Sequence, residues 1–269
     1  MDTIGFVGAG NMAEALIKGI VSAKVYEPQN VFISDIRAER LGLLAEKYDV
    51  LPVESNAELA AKVDVLVLSV KPQNMAEALQ GIRDAFQPDT LVISIAAGIK
   101  VAKIAAALGD VAIVRVMPNT PALIGEGASA LFANNKARPV LKKAEKIFSA
   151  VGREVIVDDE DLIDAVTAVS GSGPAYYFLL MEEMREAARQ LGLPDNVAKD
   201  LVLQTAKGAA LLAVDADKHG ESPAELRRKV TSPGGTTEAA LKVFADGKFG
   251  PLVVTAIERA RDRSRELSA

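Results

Sequence analysis

The chain has 269 residues, of which 49% are hydrophobic and 25% are charged, and its formal net charge is −5. These proportions are typical of an intracellular globular protein with room for two modest domains. The sequence has no cysteine, which excludes disulfides, thiolate nucleophiles and cysteine metal sites, and its negative charge disfavours a nucleic-acid partner.

The chain begins with a predicted strand over Ile4–Val7 that runs into a glycine-rich segment, and a helix is predicted over Asn11–Val21. Gly8 permits a tight turn, and Gly10 lets the backbone approach a pyrophosphate closely. The amides at the start of the helix favour phosphate oxygens. The segment predicts a dinucleotide site, with an ordinary strand-to-helix turn as the alternative.

No secretory signal is recognised, so we expect a cytoplasmic protein.

The second predicted strand, Val31–Ser34, is followed by residues that bear on the choice of cofactor. Asp35 lies where a carboxylate would bind the ribose hydroxyls of a dinucleotide. Arg37 could instead bind a 2′-phosphate together with Ser34, or lie as a solvated charge before the helix predicted over Ala38–Tyr48. The local chemistry leaves NADH and NADPH both open.

Strands and helical patterns alternate through the rest of the first half. This alternation predicts a Rossmann-type, doubly wound and mostly parallel sheet with helices on both faces. The further predicted strands are Val65–Val70, Leu91–Ile95, Ile113–Val116, Ser129–Phe132 and Glu154–Val157. Ligands bind outside the carboxyl ends of such strands. The candidate segments there are Ser69–Gln73, Ala96–Gly98 and Met117–Pro121, with Asn56 before a helix predicted over Ala57–Lys62.

The pattern changes near Asp158–Asp161, and no later strand is predicted. We expect a dinucleotide-binding domain over 1–160 and an all-helical substrate-binding and dimerisation domain over 161–269. The predicted helices are Leu162–Leu191 with a break at Gly171–Pro174, Asn196–Val214, Pro223–Val230, Thr236–Ala245 and Gly250–Leu267. Their apolar stripes favour packing between two subunits, with packing inside one chain as the alternative.

Charge, glycine and proline interrupt Leu162–Met181, so no transmembrane helix is expected.

Few residues of the sequence suit acid–base or metal catalysis. The single histidine, His219, falls in a polar stretch typical of a surface loop, which disfavours a Ser-His-Asp mechanism. The consecutive acids Asp158–Asp161 cannot converge on one ion without further ligands, so no metal site is predicted. Hydride transfer to a protonated imine suits this inventory, because a cofactor supplies the reductant and the protein mainly aligns the reactants.

A second glycine-rich segment, Thr231–Thr237, precedes a late predicted helix. Its glycines are followed by Thr236 and Thr237, and the unpaired amides at the start of that helix suit a small carboxylate. A simple helix cap with Thr236 as the N-cap residue is the alternative.

Six segments match those of one known family, in order along nearly the whole chain. They are Gly8–Met12, Val70–Gln73, Ala96–Gly98, Arg115–Pro121, Ser170–Tyr176 and Thr231–Thr237. Together they closely resemble the pyrroline-5-carboxylate reductases, and the last three are the specific ones. The resemblance implies an NAD(P)H-dependent enzyme that reduces 1-pyrroline-5-carboxylate to L-proline, the final step of proline synthesis. It also implies a homodimer formed through the helical domain, often assembled further into a decamer.

The resemblance also implies the site residues. For the cofactor, which is NADPH or NADH, they are Val7, Gly8, Ala9, Gly10, Asn11, Met12, Ser34, Asp35, Asn56, Ser69, Val70, Lys71, Pro72, Ile95, Ala96 and Ala97, to which the local chemistry adds Arg37. For the substrate they are Glu160, Ser232, Thr236 and Thr237. In family terms the Ser232 hydroxyl and the amides around Thr236 and Thr237 hold the carboxylate. The Thr237 hydroxyl reaches the ring nitrogen, which makes Thr237 the catalytic candidate.

Glu160 and Asp35 each allow a second interpretation. Glu160 could simply stabilise the N-terminus of the helix that starts near Leu162. Asp35 departs from the uncharged residue of the family pattern, so both NADPH and NADH stay possible cofactors.

Two other functions would use similar motifs. A dehydrogenase of the 3-hydroxyisobutyrate or 6-phosphogluconate type needs a catalytic lysine in the helix that follows Gly173, and Pro174–Leu180 has none. A non-catalytic dinucleotide sensor would use the same pocket without turnover, and an assay with the imine separates it from an enzyme.

Overall fold

The computed structural model describes residues 2–268. Its strands are β1 (Ile4–Val7), β2 (Val31–Ser34), β3 (Leu51–Pro52), β4 (Val65–Leu68), β5 (Leu91–Ser94), β6 (Ile113–Met117), β7 (Gly127–Ala133) and β8 (Gly152–Ile156). The helices of the first half are α1 (Asn11–Ser22), α2 (Ala38–Tyr48), α3 (Asn56–Lys62), α4 (Met75–Ile82), α5 (Val101–Leu108) and α6 (Leu141–Ser149). Those that follow are α7 (Leu162–Val166), α8 (Gly173–Gln190), α9 (Asp195–Asp217), α10 (Pro223–Lys229), α11 (Thr236–Asp246) and α12 (Phe249–Ser268).

The strands form one sheet in the order β3-β2-β1-β4-β5-β6-β7-β8. The chain leaves β1 for β2 on one side and returns for β4 on the other, so the strand order reverses at β1. All neighbours run parallel except β6 and β7. A short 3-10 turn, Thr120–Ile124, joins those two strands, and a parallel return would need a longer crossover. The predicted mostly parallel Rossmann-type sheet is confirmed.

Helices cover both faces of the sheet, as predicted. Alternate residues of a strand point to opposite faces, so Phe6 packs in one core cluster and Val7 in the other. The same division separates Val67 from Leu68 on β4. Because both faces are buried, the central strands are continuously apolar, and this is the pattern that made them recognisable in the sequence.

The helical second half differs from prediction at its start. The region predicted as one helix with a break is α7, then a π-helical turn over Thr167–Gly171, then α8. The wider turn brings Gly171 against β6, where an added Cβ would lie 2.5 Å from Met117 Cε. A larger residue at that point of the turn would therefore displace the end of the Met117 side chain.

The chain forms two compact units. One runs from the N-terminal sheet to Pro174 and takes in the C-terminal segment from Arg259, and the other is Ala175–Glu258. In the second unit an ion pair of Arg185 and Asp195 joins the end of α8 to the start of α9. The domain division expected at residue 160 stays a prediction. No helix in the described part of the chain is long and apolar enough to cross a membrane.

Candidate active site

The glycine-rich turn lies at the carboxyl end of β1, where the strand order reverses. Gly8 has φ of +94°, and its N–H donates to Ser34 O at 2.8 Å. An added Cβ on Gly8 would lie 3.0 Å from the Ser69 carbonyl carbon. A Cβ on Gly10 would instead find no non-adjacent atom within 4 Å in the described structure. The backbone is therefore crowded at Gly8 and open at Gly10. A pyrophosphate can approach the turn closely only where the backbone is open.

The start of α1 is free to bind an anion. Gly10 is its N-cap residue, and no side chain among residues 2–268 caps it. The amides of the first turn point out of the helix with the positive end of its dipole. Val7 and Ala9, which the sequence also predicted as cofactor contacts, are fully buried.

Ser69, at the end of β4, supports this turn. Its hydroxyl lies 2.6 Å from Gly8 O and 3.0 Å from Val7 O, and its N–H donates to Val7 O. The side chain predicted to contact the cofactor therefore also fixes the glycine-rich turn.

Asp35 is clamped beside the turn. Its Oδ2 accepts the Ala9 N–H at 2.7 Å, and its two oxygens accept Nε and Nη2 of Arg37 at 2.9 and 3.0 Å. The Arg37 guanidinium, followed by the backbone amides, holds the pKa of Asp35 at about 2. The Asp35 side chain is 7% exposed and that of Arg37 is 58% exposed. The charge presented to solvent at this position is therefore the cation.

Ser34 and Asn56 meet at the same edge of the sheet. The Ser34 hydroxyl donates to Asn56 Oδ1 at 2.8 Å, which joins the end of β2 to the first residue of α3. Ser55 caps that helix by accepting the Glu58 N–H. The structure thus gathers Ser34, Asp35 and Asn56 around the glycine-rich turn, as the sequence predicted for the adenosine end of a dinucleotide.

The loops after β4 and β5 complete this edge. Val70 is half-buried, while Lys71 and Pro72 are exposed at the start of a 3-10 turn. After β5, the N–H of Ile95 donates to Leu68 O, Ala96 is buried and Ala97 is half-buried.

The loop after β5 ends against the C-terminal segment. Gly98 has φ of +72°, and an added Cβ there would lie 2.9 Å from Leu267 O of α12. Ser264, also on α12, donates to the buried Asp164 at 2.6 Å. The end of α12 therefore packs beside this part of the candidate cofactor site.

A cluster around Glu14 was missed from the sequence. Arg40 of α2 donates Nε to Ala9 O at 2.7 Å and pairs with Glu14 of α1. Lys47 and Tyr48 donate to the other Glu14 oxygen. Hydrogen bonds from Lys47 first, then from Arg40 and Tyr48, lower the pKa of Glu14 to about 2 although partial burial opposes this. The spacing of these charges along the chain carries no sign that they meet.

Glu160 lies in the first unit, between β8 and α7. Its Oε1 accepts the Val101 N–H at 2.8 Å and Nη1 of the buried Arg115 at 2.9 Å. Its carboxylate accepts the first amide of α5, and no side chain among the described residues caps α7 by a hydrogen bond. Arg115 belongs to a motif noted in the sequence, but its role was not predicted.

Two of the specific motifs meet in the first unit. Asn119 donates Nδ2 to Ser170 O at 3.0 Å and accepts the Ala128 N–H at 2.8 Å. The segment Arg115–Pro121 is therefore tied to the π-helical turn that opens Ser170–Tyr176.

The other substrate candidates lie in the second unit, at the start of α11. Gly234 has φ of +70° and its N–H donates to Glu238 Oε2 at 2.7 Å. Gly235, not Thr236, is the N-cap residue, and no described side chain caps α11. The alternative of a Thr236 cap is therefore wrong. Thr237 is half-buried in the first turn, and Ser232 and Thr236 are exposed.

His219 is exposed in the turn after α9, and within residues 2–268 no three His, Cys, Asp or Glu side chains group as metal ligands would.

A doubly wound sheet with an open glycine-rich turn at its strand-order reversal is the architecture of a dinucleotide-binding protein. Two family models match the chain: pyrroline-5-carboxylate reductase dimerisation over residues 160–267, and NADP oxidoreductase coenzyme F420-dependent over residues 3–98. The chain is 49% identical to pyrroline-5-carboxylate reductase of Pseudomonas aeruginosa, over 98% of this chain and 96% of that protein. It is 38% identical to pyrroline-5-carboxylate reductase 2 of Bacillus subtilis, over 99% and 95%.

Solved structures agree with these relatives. The pyrroline-5-carboxylate reductase of Coxiella burnetii superposes with a TM-score of 0.93 at 40% identity, covering 100% of this chain and 99% of that one. The Plasmodium falciparum pyrroline carboxylate reductase, a structure with NADP bound, gives 0.86 at 32% identity, covering 100% and 98%. The chain belongs to the pyrroline-5-carboxylate reductase family, an NAD(P)-dependent oxidoreductase family. The predicted family is confirmed, and the lysine-dependent rival is excluded.

Proposed function

We propose that this chain reduces 1-pyrroline-5-carboxylate to L-proline with NAD(P)H, the last step of proline biosynthesis. The observation that carries the proposal is the uncapped start of α1 beside a backbone that is open at Gly10. Full-length relatives named for this activity support it.

The residues around the glycine-rich turn fit a dinucleotide. The amides of Gly10, Asn11 and Met12 would hold the pyrophosphate. Ser34, Asn56 and the Asp35–Arg37 pair would hold the adenosine ribose, and Ser69–Pro72 with Ile95–Ala97 would flank the nicotinamide end. The reduced nicotinamide, when bound, supplies a hydride to the imine carbon.

The start of α11 fits a small carboxylate. Ser232 would donate its hydroxyl, and the amides around Thr236 and Thr237 would donate from an uncapped first turn. The Thr237 hydroxyl would contact the ring nitrogen, and Glu160 would be a further substrate contact. Glu238 already binds the Gly234 amide, so the substrate carboxylate uses amides further into the helix.

A spectrophotometric assay tests the function. The purified chain should oxidise NADPH or NADH only when pyrroline-5-carboxylate is present, and L-proline should accumulate in equal amount. Tight cofactor binding without turnover would contradict the proposal and support a dinucleotide sensor. Turnover with a hydroxy acid but not with the imine would also contradict it.

The family model for dimerisation indicates a homo-oligomer. We propose a dimer through residues 161–269, with a decamer as a further assembly, in the cytoplasm. Large apolar side chains on α8, α9 and α11 support this interface, since they are more than half exposed in the single chain: Tyr177, Phe178, Leu179, Leu201, Leu203, Leu211, Leu212 and Val243. Light scattering on the purified protein tests it, and a monomer at micromolar concentration would contradict it.

A further inference from the structure

Arg115 is a buried cation to which the proposed reaction assigns no role. It lies on β6, in register with Ser94 of β5, and its side chain is 2% exposed. Its Nη1 donates to Glu160 Oε1 at 2.9 Å, while its Nε has no hydrogen-bond partner among the described residues. The guanidinium is therefore buried away from water and pairs with one carboxylate. One of its N–H donors has no partner among the described residues.

Stability alone does not explain such a pair. Removing two charges from water is costly, and an apolar pair of similar volume is often as stable or more stable. The site also keeps an unpaired Nε donor, which adds to that cost. A function of the charge accounts better for an arginine at this position of the sheet.

The geometry at Glu160 indicates what that function is. Both donors, Val101 N–H and Arg115 Nη1, bind Oε1. Within the described chain, no hydrogen bond engages Oε2. The Glu160 side chain is 19% exposed, so the carboxylate is the end of the pair that a ligand can reach. Two bonds to one oxygen hold that oxygen in place and leave the other oxygen available.

We propose that Arg115 is a positioning residue, which holds Glu160 so that its free Oε2 stays available to the cationic ring of the imine substrate. This inference rests on the proposed function, in which Glu160 contacts the substrate. Arg115 acts through Glu160 and binds neither the cofactor nor the carboxylate of the substrate.

Steady-state kinetics on Arg115→Met, Arg115→Lys, Glu160→Gln and the double variant Arg115→Met/Glu160→Gln test the proposal. Arg115→Met and Glu160→Gln should each raise the KM for pyrroline-5-carboxylate about tenfold, with the KM for NADPH changed by less than about twofold. The double variant should be no worse than either single variant, because both remove the same contact. Arg115→Lys should restore most of the affinity.

Binding and stability measurements separate positioning from a structural role. Calorimetry of L-proline binding to the complex with NADP⁺ should show the same loss of affinity, while the melting temperatures of the double variant and the wild type stay close. Arg153→Met removes an exposed arginine of β8 and should change neither quantity. If Arg115→Met fails to fold, Arg115→Lys and Glu160→Gln still give the test.

Three results overturn the inference. The first is a multiplicative loss in the double variant, the second is equal loss of affinity for NADPH and the imine, and the third is a normal KM in Glu160→Gln. A wild-type protein that does not reduce the imine at all would instead overturn the proposed function on which the inference rests.

Discussion

Among single residues, Thr237 is the one on which the proposed chemistry depends most. It lies half-buried in the first turn of an uncapped helix. Thr237→Ala should lower kcat on the imine about tenfold or more, because the ring nitrogen loses a hydroxyl partner during the reaction. The dissociation constant of NADPH, measured by fluorescence titration, should stay unchanged.

Thr231→Ala is the matched control for that variant. Thr231 lies six residues earlier, and its hydroxyl donates to Arg227 O at 2.6 Å, so it is already engaged within its own segment. It should keep normal turnover. An equal loss of cofactor affinity in Thr237→Ala would refute the role given to Thr237.

The Asp35–Arg37 pair sets a second prediction, on the choice of cofactor. With its pKa at about 2, Asp35 is ionised throughout the working range of pH, and Arg37 neutralises it. Asp35→Ser should raise the ratio of kcat/KM for NADPH to kcat/KM for NADH about tenfold, because a negative charge is removed and the guanidinium is released for a 2′-phosphate.

The ratio is best measured beside Glu39→Ser, which removes an exposed acid from the first turn of α2. That control should leave the ratio as it is. An unchanged ratio in Asp35→Ser would mean that this carboxylate does not face the ribose.

Residue types and their order were enough to identify the candidates at this scale, but not their partners. Asp35 and Arg37 are two positions apart, and both cofactor readings follow from that spacing. That they clamp each other, with Ala9 as a third partner, depends on the conformation of two loops. Arg115 and Glu160 are far apart in sequence, and only the sheet brings them together.

The glycine-rich turn gives a prediction at the scale of an element. Gly10→Ala should weaken NADPH binding about tenfold or more and leave the melting temperature unchanged, because the added methyl group meets only open space where the pyrophosphate would lie. Gly8→Ala should in addition destabilise the fold by about 1–2 kcal/mol, since its φ is positive.

Gly42→Ala serves as the control within α2. Its Cβ also meets no non-adjacent atom in the described structure, and it should stabilise the helix by about 1 kcal/mol without any effect on affinity. Normal NADPH binding by Gly10→Ala would place the pyrophosphate elsewhere.

The Glu14 cluster joins α1 to α2 and predicts a dependence on pH. The pKa of Glu14 is about 2 in the folded chain, below its ordinary value of 4.5. Its contribution to stability is therefore full above about pH 4.5 and is lost as the pH falls toward 2. Glu14→Gln should lower the free energy of unfolding by about 2 kcal/mol at pH 7, and the difference from wild type should shrink by pH 3.

Urea unfolding at several pH values, at one fixed protein concentration, measures this difference. Glu46→Gln, an exposed acid of α2, should show no such dependence. A difference between wild type and Glu14→Gln that stays constant from pH 7 to pH 3 would show that the cluster does not hold the two helices together.

Element boundaries followed from the sequence where burial is strong. β1, β2 and α2 lie where they were predicted, because continuous apolar strands and clear helix ends mark them. β3 was missed because two exposed residues carry no pattern. The antiparallel direction of β7 was not predicted either, since direction depends on the length of the connection and not on the composition of the strand.

The fold class and the family of the whole molecule were predictable, because alternating strands and helices leave few topologies and six motifs occur in order. The packing of the C-terminal segment against the first half of the chain was not predictable. Ser264, near the C-terminus, packs against Asp164 beside the candidate cofactor loops, a contact across a hundred residues that no local pattern encodes.

The transfer of the hydride itself is the most direct test of the account. The chain is supplied with pyrroline-5-carboxylate and with NADPH in which deuterium replaces the hydrogen that is transferred from C4 of the nicotinamide. The product is examined by mass spectrometry and NMR. We predict one deuterium in each molecule of L-proline, bound at C5. Unlabelled proline, or no proline while the cofactor stays bound and reduced, would contradict the account.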